Sequence, residues 1–161
     1  MPVPDDFIEK LRAVAGNGVL TEAADRAPYE AEERGLLEST CDAVVRPADT
    51  EAVAAVVRLC AERRIPIVPQ GGNTGLVDAG TPHGEICVSM QRMNAVRALD
   101  AFNNSLVIEA GAPLVVAQQA ADDAQRLFPL SLGSEGTATI GGLISTNAGG
   151  VAVLRYGMMR D

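Results

Sequence analysis

Apolar and polar positions change their period several times along the chain, and each change predicts an element. Phe7, Ile8, Leu11 and Val14 recur at helical spacing. Asp5 or Asp6 is placed to cap that helix and Gly16 to close it. Residues 17–42 hold no sustained period, and Pro28 and Tyr29 interrupt them, so they read as a connecting arm. From Ala43 the pattern sharpens. Ala43-Val44-Val45 is a short β-like run. Pro47, followed by Asp49 or Thr50 as cap, opens a helix to about Arg64. Its apolar face carries Val53, Val56, Val57 and Cys60. Ile65-Pro66-Ile67-Val68-Pro69 reads as the next strand, and strand–helix–strand favours a parallel pair.

Beyond Pro69 the chain continues with different punctuation, and no internal repeat appears. Gln70 to Gly80 is a glycine-rich loop, and Ile86-Cys87-Val88 a further strand. Val96 to Asp100 and Leu106 to Glu109 form a hairpin around Asn103-Asn104. Pro113 suits the first position of a helix running to about Gln125. Pro129 to Gly150 is again rich in Gly, Ser, Thr and Asn. The expected organisation is an N-terminal helix and arm (1–42) and two small α/β subdomains (43–95 and 96–161), an α+β fold.

Composition narrows the classes. Hydrophobic residues are 47% and charged residues 21%, an ordinary globular balance over 161 residues. The net charge of −8 opposes a nucleic-acid partner or an anionic membrane surface. Aromatic content of 3%, with no Trp, removes stacking platforms for single strands. The start, Met1-Pro2-Val3-Pro4-Asp5-Asp6, is acidic, so no signal peptide is expected, and no apolar run suits a transmembrane segment. Cys41, Cys60 and Cys87, odd in number and without CxxC spacing, fit reduced thiols and a cytoplasmic protein. Cys60 falls on the buried helix face as a packed thiol. His83, between Pro82 and Gly84, reads as a solvated loop histidine, and no metal site is expected.

Two segments carry chemistry. A strand runs straight into Pro69-Gln70-Gly71-Gly72-Asn73-Thr74-Gly75-Leu76. Gly71, Gly72 and Gly75 permit backbone angles closed to other residues, so that successive N–H groups form a concave anion site. No Lys or Arg lies between Ile65 and Gln91, so a phosphate here is held by neutral donors, which suits a buried diphosphate. The segment lacks both GxxxxGK[ST] and GxGxxG, which excludes the P-loop and the usual dinucleotide fingerprint. A plain glycine-rich turn explains the same composition. In the second segment, Leu130 to Gly150, Thr139 can cap a short helix beginning at Ile140, whose free N–H groups suit an anion. Gly141 and Gly142 in its first turn cost helix stability of about 1 kcal/mol each. Either a ligand close to the backbone or tight helix packing accounts for them.

At these residues the sequence resembles the PCMH-type FAD-binding domain of the vanillyl-alcohol oxidase type flavoproteins, and within them the D-2-hydroxy-acid dehydrogenases. The matching pieces are Val45-Arg46-Pro47, Pro69 to Leu76, Glu109-Ala110-Gly111, Phe128-Pro129-Leu130, Ile140-Gly141-Gly142, Thr146 to Gly150 and Leu154-Arg155-Tyr156-Gly157. The resemblance implies that Pro69 and Gly71, Gly72, Asn73, Thr74, Gly75 and Leu76 cradle the FAD diphosphate. It implies that Pro129, Leu132, Gly133, Ser134, Thr139, Gly142, Ser145, Thr146 and Gly149 surround the diphosphate, ribityl chain and flavin edge, with FAD between the two subdomains. Some relatives attach FAD through a histidine in the first loop, which has none here, so FAD is expected to be non-covalent. The family continues past the point matching Asp161 with further strands and a cap domain that holds the catalytic groups. The chain therefore reads as a truncated domain, inactive alone, and no catalytic residue is named. The whole protein is expected to oxidise a D-2-hydroxy acid of the D-lactate, glycolate or D-2-hydroxyglutarate type and to pass electrons to a separate acceptor. An oxidase or reductase of another alcohol, sugar or lactone, and a non-catalytic nucleotide-binding subunit, stay open, as does a homodimer.

Overall fold

The computed structural model describes residues 3–161; Met1 and Pro2, at the acidic start noted above, lie outside the described residues. The chain forms two compact units, Met1–Arg92 and Met93–Asp161.

The first unit is a four-stranded sheet with helices on it. Its elements are α1 (Asp5–Ala15), β1 (Val19–Leu20), α2 (Ala23–Glu30), β2 (Val44–Val45), α3 (Thr50–Arg63), β3 (Ile67–Gln70) and β4 (Ile86–Ser89). The strand order is β1-β2-β4-β3, with β1 antiparallel to β2 and the other neighbours parallel. The expected parallel arrangement of β2 and β3 therefore holds in direction, but β4 sits between them. β3 is left at an edge, which is why Pro66 and Pro69 are tolerated in and beside it. Strand alternation gives the sheet two faces. Val45, Ile86 and Val88 pack with Phe7, Ile8 and Leu11 of α1 and with Val56 and Cys60 of α3. Val44 and Cys87 face the other way, onto Cys41, Leu20 and Tyr29.

Several local expectations need correction. Pro4, not Asp5 or Asp6, is the N-cap of α1, and both aspartates lie in its first turn, where the positive end of the helix dipole favours them. The stretch read as a connecting arm supplies β1 and α2. Pro28 lies inside α2 near its C-terminal end, where the lost N–H costs one helix bond. An ion pair between Arg26 and Glu30, 3.2 Å, spans that turn. On α3 the Asp49 carboxylate accepts from the Ala52 N–H at 2.7 Å, as a cap should. Val57, expected on its buried face, is 40% exposed, so the stripe narrows to Val56 and Cys60 with Leu59 beside them.

The second unit contains β5 (Val96–Asp100), β6 (Ser105–Ile108), α4 (Leu114–Asp123), α5 (Ile140–Thr146) and α6 (Val153–Tyr156). β5 and β6 form the expected hairpin, with Asn104 in the left-handed conformation at φ 53. Leu106 and Ile108 turn inward onto a core of Leu114, Ala117, Leu130, Ile140 and Leu143. Pro113 is the N-cap of α4 rather than its first helical residue, because its ψ of 152 is extended. No helix among the described residues is long and apolar enough to cross a membrane. The three cysteines are free and buried, Cys60 on the α3 face as expected.

Candidate functional site

The glycine-rich loop leaves β3 at Gln70 and returns to β4 at Ile86. Among the described residues, no protein group accepts a hydrogen bond from the backbone N–H of any residue from Gly71 to Val77. Seven consecutive free donors at the carboxyl end of a strand form a surface that a multiply charged anion satisfies. The loop is held open by side chains instead. The buried Gln70 amide donates to the carbonyls of Tyr29 and Gly80, both at 2.8 Å, and so ties the two feet of the loop to the end of α2. The Asn73 amide donates to the Ala31 carbonyl at 2.6 Å.

The loop's glycines do not take the backbone angles expected of them. The left-handed positions are Asn73 (φ 51) and Asp78 (φ 60); Gly71, Gly72 and Gly75 are not among them. A Cβ built on Gly75 meets nothing within 4 Å. Neither strain nor packing inside the chain explains that glycine, whereas an approaching ligand would. Pro69, Gly72, Gly75 and Leu76 are exposed, and Gly71, Asn73 and Thr74 half-buried. At the far end of the loop His83 is not simply solvated. Its Nε2 lies 2.7 Å from Asp78 Oδ2. That bond raises the His83 pKa and lowers that of Asp78.

The second segment is built differently. The α5 start is not an open anion site, since the Ile140 and Gly141 N–H groups already donate to Ala112 and Ala110 carbonyls at 2.9 and 2.8 Å. Upstream, the Glu135 carboxylate accepts from the Leu132 N–H at 3.2 Å, which puts a negative charge inside the loop. Gly133, Ser134, Gly142 and Gly149 keep N–H groups without a protein acceptor among the described residues. Thr139 is buried and its Oγ1 has no partner among the described residues. The Ser145 and Thr146 hydroxyls donate to the Gly141 and Gly142 carbonyls, at 2.8 and 3.0 Å, so toward a ligand they offer lone pairs. This donor and acceptor set suits a neutral polyhydroxyl or amide ligand better than a second phosphate.

The two helix glycines divide between the two explanations offered for them. A Cβ on Gly141 would lie 2.9 Å from the Ala110 Cβ and 3.0 Å from its carbonyl, so this glycine serves packing. A Cβ on Gly142 would meet only Thr139 Oγ1, at 3.4 Å. A cleft of about 270 Å³ in the same unit is lined chiefly by Phe128, Leu130, Val153, Tyr156, Met158 and Met159. Pro129 is the one residue of the candidate set on its wall, and its lining is mostly apolar. Arg155, of the matching Leu154 to Gly157 segment, lies over the Tyr156 ring, 5.1 Å from its centre. Sequence reasoning missed Gln70 and Asp78 as supports of the loop. Gln70 had a signal in ending a strand at the first glycine, but the partner at Tyr29 lies 41 residues away and nothing local announces it.

Comparison with known proteins bears on the family and the fold. The family described as FAD binding domain matches residues 41–161. The chain is 36% identical over 159 residues to the mitochondrial D-2-hydroxyglutarate dehydrogenase of Bos taurus, covering 98% of this chain and 29% of that protein. It is 35% identical over 157 residues to the D-2-hydroxyglutarate dehydrogenase of Stutzerimonas stutzeri, covering 96% of this chain and 34% of that protein. The chain thus spans about a third of the length of these relatives. Among solved structures, an alkyldihydroxyacetonephosphate synthase superposes with a TM-score of 0.87 at 22% identity, over 99% of this chain and 32% of that one. A p-cresol methylhydroxylase superposes with a TM-score of 0.74 at 22% identity, over 90% and 29%. These two speak for the fold alone, the α+β architecture of PCMH-type domains. With that fold and a family match over most of its length, this chain belongs to the FAD binding domain family, and its cofactor is FAD.

Proposed function

We propose that this chain holds FAD for a dehydrogenase that oxidises a D-2-hydroxy acid to the 2-oxo acid. The observation that carries the reading is the run of seven free N–H groups, Gly71 to Val77, at the end of β3. Gly71, Gly72, Asn73, Thr74, Gly75 and Leu76 bind the diphosphate, with Pro69 fixing the approach of the strand. Pro129, Leu132, Gly133, Ser134, Thr139, Gly142, Ser145, Thr146 and Gly149 contact the ribityl chain and the flavin edge, and the orphaned Thr139 hydroxyl gains a partner there. Bound FAD supplies the hydride acceptor; the chain supplies position and hydrogen bonds. The relatives' names support D-2-hydroxyglutarate as substrate over D-lactate or glycolate. Electrons pass to a separate acceptor.

FAD is held non-covalently, since no His or Cys stands in the loop from Gly71 to Leu76. Because the chain spans about a third of its relatives, we propose that it turns over no substrate alone. Three free buried thiols support a reducing compartment such as the cytoplasm. The test is a visible spectrum after FAD is added and excess removed. Bound flavin that acid precipitation releases supports the reading; a colourless protein overturns it.

A further inference from the structure

A second group of donors lies in the first unit, apart from the glycine-rich loop. Arg46 follows the last residue of β2, and its N–H donates to the Gly18 carbonyl at 2.9 Å. By strand alternation its side chain shares the face of Val44 and so points toward Tyr29. Its Nη1 reaches only the Tyr29 phenol oxygen, at 3.5 Å, the outer limit of a hydrogen bond. Its Nε is buried and unpartnered among the described residues. No carboxylate pairs with Arg46 among the described residues, where Arg12, Arg26, Arg34, Arg63 and Arg97 have one and Arg58, Arg64, Arg126, Arg155 and Arg160 do not. Glu30, the carboxylate next to Tyr29 on α2, is taken by Arg26 and by the Cys41 N–H at 2.9 Å. Arg92 adds a second guanidinium without a carboxylate among the described residues, anchored by Nη1 on the Arg46 carbonyl at 3.2 Å. Gln91 Oε1 accepts from the Tyr29 hydroxyl at 2.8 Å.

What sets Arg46 apart is its buried and unpartnered Nε, with the Arg92 guanidinium held beside its backbone carbonyl. A partly buried cation with an orphaned N–H is held at a cost that an anion removes. We propose that Arg46, with Arg92, Tyr29 and Gln91, forms an anion subsite at the carboxyl end of β2 that takes a phosphate group. The donors come from the end of β2 and from the segment after β4, while the Tyr29 hydroxyl of α2 spends its proton on Gln91 Oε1 and so leaves the Gln91 amide N–H groups to the anion. That spread suits a tetrahedral group with several acceptor oxygens better than a planar carboxylate with two. The subsite uses no residue of the glycine-rich loop. The phosphate belongs either to the cofactor or to a separate phosphorylated ligand, and the recognition chemistry is the same.

The test is calorimetric titration of the chain with inorganic pyrophosphate, acetate, FAD and riboflavin, repeated in a Gly75→Val background where the loop is closed. Arg46→Met and the exposed Arg92→Met are compared with wild type, each first shown to melt normally; Arg92→Met serves if Arg46→Met does not fold. Pyrophosphate binding is expected to weaken at least about tenfold in Arg46→Met and about threefold in Arg92→Met, and to return to within about threefold in Arg46→Lys. Acetate is expected not to bind. Loss of FAD affinity without loss of riboflavin affinity assigns the phosphate to the cofactor. Loss of pyrophosphate alone assigns it to a separate ligand. Equal pyrophosphate and FAD affinity in wild type and both methionine variants overturns the proposal. So does acetate binding as tight as pyrophosphate, or no pyrophosphate binding by wild type. A protein that binds pyrophosphate through Arg46 but takes up no FAD keeps this subsite and refutes the function proposed above.

Discussion

Gly141 packs directly on Ala110: a Cβ at Gly141 would stand 2.9 Å from the alanine methyl carbon and 3.0 Å from its carbonyl oxygen. The contact lets the first turn of α5 hand two N–H groups to the Ala110 and Ala112 carbonyls. Gly141→Ala gains helix propensity of about 1 kcal/mol but overpacks by about 1–3 kcal/mol, a net loss of about 1 kcal/mol. Gly142→Ala meets only Thr139 Oγ1 and is expected to be neutral or slightly stabilising, while weakening FAD. Urea unfolding with parallel FAD titration separates the two; equal stability effects would contradict the division of roles.

Gln70 is the clamp of the loop. Gln70→Leu removes the donor to two carbonyls in a position only 4% exposed. Each carbonyl left dry costs about 1–3 kcal/mol. The expected result is a lower urea midpoint together with weaker FAD binding. An unchanged midpoint would show that the loop stands without it.

The Asp78–His83 pair makes the loop sensitive to pH. The bond to Asp78 raises the folded pKa of His83 above its ordinary value, with Glu85 adding to the effect. The stabilisation is therefore complete below the unfolded pKa of about 6.5 and is lost as pH rises through the higher folded value. Asp78, held low by the same bond, loses its share only as pH falls through its own depressed pKa, well below this range. The difference in melting temperature between wild type and His83→Gln should shrink between about pH 5 and about pH 9. A constant difference would remove the ion pair from the account.

Burial pushes the Cys41 and Cys87 thiols up to about 12, and the nearby Glu30 adds to this in both. Cys60 is raised by burial alone. The folded protein should react with none of an aromatic disulfide reagent at neutral pH, and the unfolded protein with all three thiols. Fast labelling of the folded chain would mean that the first unit opens readily.

Much of the fold was legible because apolar period is local. β2, α3, β3, β4 and the β5–β6 hairpin follow from patterns within a few residues. What was not legible depends on distant partners. β4 inserts between β2 and β3 because of sheet order, which strand–helix–strand patterning does not specify. α2 carries a proline that local rules place outside helices, and it stands where Tyr29 and Ala31 receive Gln70 and Asn73. The loop at Gly71 was legible as a donor surface, but the explanation by glycine backbone angles was not right, since Asn73 and Asp78 take the left-handed positions. The serines, threonines and helix start of the second segment suggest an anion site. Tertiary contacts decide that Ala110 and Ala112 already use the α5 donors and that Glu135 brings its charge inward.

The central claim is that the free N–H groups of Gly71 to Val77 hold the diphosphate of FAD. Its most direct test is an FAD titration of Gly75→Val beside wild type, with melting curves for both. Gly75 has nothing within 4 Å of its Cβ position and lies outside the left-handed region, so the variant should melt within about 0.5 kcal/mol of wild type. It should nonetheless bind FAD at least about tenfold more weakly, because the added side chain occupies the ligand's space. Unchanged FAD affinity with an unchanged melt would show that the loop is only a turn and that the cofactor binds elsewhere.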